Sequence, residues 1–96
     1  MQMDIKEAML AYHGTYEIGN ADIRRIFGSK KSSATLAKMK KAAYEEMLKQ
    51  GIAAHGYHNV NTAAAFKAWG IDITDLEKRY KTLKRLGLLE NESPED

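Results

Sequence analysis

The sequence predicts a mainly α fold: about five helices in two helix-turn-helix units, with residues 52–60 suited to a small β-hairpin wing. Three observations predict it. Apolar residues recur at helical spacing in five segments. Asp, Asn, Ser or Thr opens each segment, and a glycine closes it, at Gly14, Gly28, Gly51, Gly70 and Gly87. Finally, one stretch occurs twice. Ile18-Gly19-Asn20-Ala21-Asp22-Ile23-Arg24-Arg25-Ile26-Phe27-Gly28 aligns without a gap to Val60-Asn61-Thr62-Ala63-Ala64-Ala65-Phe66-Lys67-Ala68-Trp69-Gly70. In each copy an apolar residue precedes a polar cap, a short helix ends in an aromatic-glycine pair, and a longer amphipathic segment follows.

The elements follow in order. Asp4 caps a helix from Ile5 to His13, with Ile5, Ala8, Met9 and Tyr12 inward and Gly14 as a left-handed stop. Thr15 to Ile18 is β-prone, a strand stub or an extended link. Asn20 caps a helix over Ala21 to Phe27 that buries Ile23, Ile26 and Phe27. After the polar turn Ser29-Lys30-Lys31-Ser32, Ser32 or Ser33 caps a long helix to Gln50. Its apolar stripe is Leu36, Met39, Ala43, Met47 and Leu48. Gly51 to Asn61 lacks helical period, and a hairpin turn is expected near His55-Gly56. Asn61 or Thr62 caps Ala63 to Trp69. Thr74 caps a last helix to about Leu86, with Leu76, Tyr80, Leu83 and Leu86 inward, and Leu88-Leu89 extends it. The expected organisation is a first unit over 1–60, a second over 61–89 packed on it, and a disordered acidic tail over 90–96.

Composition narrows the function. The hydrophobic fraction, 44%, suits one globular domain. With no cysteine, disulfides and Cys-ligated zinc are excluded. His55 and His58 have a metal-like spacing but no cysteine partner and no nearby carboxylate, so neither a metal nor a cofactor is expected. No phosphate-binding glycine loop, nucleophile elbow or paired-carboxylate motif occurs, so the protein is not expected to be an enzyme. No apolar run reaches membrane-spanning length. Met1 to Met9 contains Asp4 and Glu7 and no signal-peptide core, which makes a cytoplasmic location the expectation.

Net charge is only +2, but it is segregated. Arg24, Arg25, Lys30, Lys31, Lys38, Lys40 and Lys41 follow one another with no acid between them, whereas Glu90, Glu92, Glu95 and Asp96 carry no neighbouring base. In a helix-turn-helix the first helix braces the second, whose free face enters a groove. The expected recognition helix is therefore 33–50. The candidate DNA-binding residues are Arg24, Arg25, Lys30, Lys31, Ser32, Ser33, Thr35, Lys38 and Lys41. Small hydroxyl residues there allow close approach, and the cations reach phosphates or base edges.

The segments Tyr12-His13-Gly14-Thr15-Tyr16-Glu17-Ile18, Asn20-Ala21-Asp22-Ile23, Phe27-Gly28 and Ser32-Ser33-Ala34-Thr35 resemble small winged helix-turn-helix regulators of bacterial and phage type. Val60 to Gly70 looks like the opening of excisionase-type and small-terminase helix-turn-helix segments. The resemblance implies a strand before the helix-turn-helix, a wing after the recognition helix, double-stranded DNA as partner, and a role as transcriptional regulator or recruiting factor. Lys30-Lys31 lengthens the first turn relative to that pattern, and Lys40 stands where many relatives carry an apolar residue. Residues 61–89 are expected to pack, to form a homodimer or to meet neighbouring subunits. The alternative reading is a helical protein–protein adaptor, such as an assembly component of a phage particle.

Overall fold

The structure, a computed structural model, describes residues 3–53 and 58–87. Five helices and two short strands follow in the order α1 (Ile5–Gly14), β1 (Glu17–Ile18), α2 (Asn20–Phe27), α3 (Ser33–Gln50), β2 (Val60–Asn61), α4 (Thr62–Ala68) and α5 (Ile73–Arg85). The expected mainly helical class with a small sheet is what forms. The expected turn at His55-Gly56, Leu88-Leu89 and the acidic tail 90–96 lie outside the described residues.

The sheet joins the two sequence copies. β1 pairs antiparallel with β2 in the register Glu17↔Asn61 and Ile18↔Val60. Thus β2 finds its partner ahead of α2, with α2 and α3 between the two strands. Ile18 and Val60 occupy the same position in the repeat, and both are fully buried. An antiparallel pair has a local two-fold relation; here that relation exchanges one copy for the other. The other ends of the copies also meet. Phe27 and Trp69, again equivalent positions, lie edge to face with centroids 5.5 Å apart, a favourable aromatic geometry. The long helices then break the symmetry, because α3 lies mainly on α4 whereas α5 lies on α1.

One core gathers residues from both copies. Ile18, Ile23, Ile26, Leu36, Met39, Ala43 and Met47 from the first pack with Val60, Ala64, Ala65, Phe66 and Leu76 from the second, and Ala8 and Ala11 of α1 complete it. Trp69 fastens α4 to α3, its indole Nε1–H donating to the Met39 carbonyl at 2.9 Å.

Several boundaries differ from the sequence reading, each for a local reason. Gly14 is the last residue of α1 without a left-handed φ; Thr15, extended, caps it through its N–H to the Ala11 carbonyl. α2 begins one residue early, because the Asp22 carboxylate accepts the Gly19 N–H at 3.1 Å and makes Gly19 the cap residue. α5 is capped by Asp72 rather than Thr74, its Oδ1 accepting the N–H groups of Thr74 and Asp75. Leu48 and Leu86, assigned inward, are 79% and 60% exposed. Leu48 falls outside the Leu36-Met39-Ala43-Met47 stripe, and Leu86 lies at the cap beyond the last turn of α5. Ser32, Gly51 and Asn61 cap as expected. Gly51 takes φ 73°, and Ile52 N–H closes back on the Met47 carbonyl at 2.9 Å, the hydrogen-bond pattern of a left-handed helix stop.

Candidate nucleic-acid interface

The basic segment starts on α2, crosses the turn after Gly28 and runs half-way along α3. The inward positions Leu36, Met39 and Ala43 fix the rotation of α3, so Ala34, Ala37, Lys38 and Lys41 emerge on its exposed side. The two alanines keep the ridge low beside the lysines. No acid stands in the first turn of α3, and the helix N-terminus adds its own partial positive charge to that of Lys30 and Lys31.

The candidate residues divide by what they touch. Lys30, Lys38 and Lys41 are exposed, as is Ser33 in the first turn. Ser32 is the cap. Its Oγ accepts the Thr35 N–H at 3.1 Å and donates to Thr35 Oγ1 at 3.0 Å. Ser32 and Thr35 therefore already shape the start of α3, with Thr35 half-buried. Lys31 is half-buried, and its carbonyl accepts a bond from Arg24 Nη2 at 3.3 Å. Arg24 thereby ties α2 to the turn ahead of α3. Arg25 is exposed but meets acids: Asp22 pairs with its Nη2 and Glu7 lies 3.8 Å from its Nε.

The sequence thus locates the exposed lysines, and the fold turns Arg24 and Arg25 towards partners within the protein. The Asp22–Arg25 pair was readable from its three-residue spacing. Glu7 comes from α1, and nothing local announces it. Ala34 and Ala37 were passed over as candidates, although their spacing to Lys38 and Lys41 places them on the same face.

Acids stay towards the other end of α3. Glu46 accepts from Gln50 Nε2 at 2.8 Å and sits 3.3 Å from Lys67 Nζ of α4. The Gln50 hydrogen bond, reinforced by Lys67 and opposed by partial burial, holds its carboxyl below the ordinary glutamate value. No protein-family model, curated protein or solved structure matches this chain significantly.

Proposed function

We propose that this protein binds double-stranded DNA without enzymatic activity, as a regulator or recruiting factor of the winged helix-turn-helix type. In this reading α3 is the recognition helix. The observation that carries it is the exposed, acid-free ridge of Ala34, Ala37, Lys38 and Lys41, preceded by Lys30 at the turn. Low side chains allow close approach to a groove while the flanking cations meet phosphates. The strand before α2 and the segment after α3 fit the order that the resemblance implies, and no described helix is long and apolar enough to cross a membrane.

The second half supports this assignment of the reading helix. α5 opens with Asp72 and Asp75, carboxylates that would face phosphates with like charge if that end entered a groove. Binding of a labelled random duplex, measured by anisotropy at low salt, tests the reading. Lys38→Glu is expected nearly to abolish binding and Lys78→Glu to change it a few-fold at most, with circular dichroism checking that both variants are folded. The reverse order would make α5 the reader; no binding by the wild type would remove the DNA reading. Exposed Leu10, Tyr16 and Leu48 favour the adaptor as second reading. An adaptor passes through heparin at low salt, whereas a DNA binder elutes only as salt is raised.

A further inference from the structure

α5 is the least anchored of the long helices. Of its thirteen residues only Leu76 is buried; Leu83 is half-buried, and Leu86 beside its end is 60% exposed. Along one flank of α5 runs an open groove. Its first part, about 410 Å³, lies against the N-terminal half of the helix and is lined by Met3, Phe27, Trp69 and Ile71 together with Asp72 and Asp75. Ile5 and Arg79 are shared with the second part, about 420 Å³, which reaches Lys78, Thr82 and Leu83. The groove is therefore apolar along its floor and carries acids at one end and bases further on; Asp75 and Arg79 already pair within α5 at 2.8 Å, and Asp72 caps the helix.

We propose that this flank of α5 is the interface with a second copy of the chain, the two α5 helices running antiparallel. The charge order selects the occupant. An antiparallel copy sets the exposed Lys78 of each chain near Asp72 and Asp75 of the other, brings the two Asp75–Arg79 pairs together so that they extend across the contact, and opposes the two helix dipoles. A parallel copy sets acid on acid. The antiparallel arrangement also carries Leu83 and Leu86 of each chain towards the Trp69–Ile71 part of the other chain's groove, covering the apolar surface that neither copy buries alone. The interface is self-complementary, as a two-fold dimer requires. It does not depend on DNA binding, since α3 lies outside it.

The test is sedimentation equilibrium of the full chain without DNA, from low micromolar to about 100 µM, a range that resolves micromolar association. The wild type is expected to reach twice the 10.8 kDa monomer mass. Leu86→Asp, at an exposed site, is expected to weaken association at least about tenfold, because it places a charge in the apolar contact. Asp75→Lys makes the flank predominantly basic, with Asp72 its remaining acid, and Lys78→Glu with Arg79→Glu makes it uniformly acidic. Each of these two proteins should remain monomeric, and their mixture should form the heterodimer. Circular dichroism and melting temperature establish that each variant is folded. A wild type that stays monomeric overturns the proposal. So does a dimer indifferent to all these changes, which would lie on another face. So does a dimer that appears only when residues 88–96 are deleted, since the chain's own end would then be the occupant.

Discussion

Gly19 shows how one side chain can be forbidden by a neighbour from the other half of the protein. A Cβ built there would stand 2.5 Å from Asn59 Oδ1 and 3.3 Å from the His58 carbonyl oxygen. The exposed Asn59 side chain can turn aside; the backbone carbonyl is harder to displace. Gly19→Ala is therefore expected to cost about 1–2 kcal/mol, in the range of overpacking. Adding Asn59→Ala should recover part of that loss. Thermal unfolding of the two single variants and the double variant measures it, and strict additivity would mean that the two positions do not meet. The sequence alone placed a cap near Gly19 but not this contact, because nothing in residues 18–28 announces Asn59. Asn61 was legible for the opposite reason: its cap is local, with Oδ1 accepting the Ala64 N–H at 2.9 Å. Asp72 was missed in favour of Thr74 because both are good cap residues two positions apart, and sequence preference does not separate them.

Among the elements, the contact of α3 with α4 is where packing and charge act together. Met39 offers its carbonyl to Trp69, and Glu46, one long stretch further along α3, meets Lys67 from α4. The lowered Glu46 carboxyl gives this contact a pH dependence of definite sign. Its ionised form is favoured in the folded protein, so its contribution is present above the ordinary value near 4.5 and fades as the pH falls through and below that value. Glu46→Gln should lower the melting temperature at neutral pH, with the difference from wild type shrinking on acidification. A constant difference from neutral to acid pH would show that ionisation of Glu46 is immaterial. The existence and type of all five helices were legible because each has a clear apolar period or strong caps. The choice of neighbour was not. The sequence reading let α2 brace α3, whereas α3 rests mainly on α4, a pairing that depends on how β1 and β2 bring the two copies together.

Among the described residues, the exposed charge of the basic stretch is redistributed by folding. Linear proximity suggested one basic face from Arg24 to Lys41. In three dimensions Arg25 is matched by Asp22 and Glu7, Arg24 is committed to the Lys31 carbonyl, and the exposed charge lies at Lys30, Lys38 and Lys41. The proposed DNA interface therefore predicts a ranking in salt dependence. Lys30→Ala with Lys41→Ala should flatten the plot of log affinity against log salt by up to about two units, one for each phosphate contact removed. Arg24→Ala with Arg25→Ala should flatten it less. Equal slopes for both double variants would mean that the arginines leave their internal partners when DNA arrives. The lysines were legible in sequence because exposure on a helix follows from the period of its buried face; the fate of the arginines required knowledge of what α1 brings alongside.

The pairing of Ile18 with Val60 also bears on how the chain reaches its fold. β1 and β2 have the whole of α2 and α3 between them, so this pair closes a long loop before it gains its burial. The entropy of closure grows with the flexible length to be spanned. Once α3 has formed, about 27 Å of that path is a rigid rod, and the search is reduced to its ends. A mainly helical chain thus places a distant strand pair at its centre. Its folding rate is therefore expected to depend less on how fast helices form than on how long the two copies take to find each other.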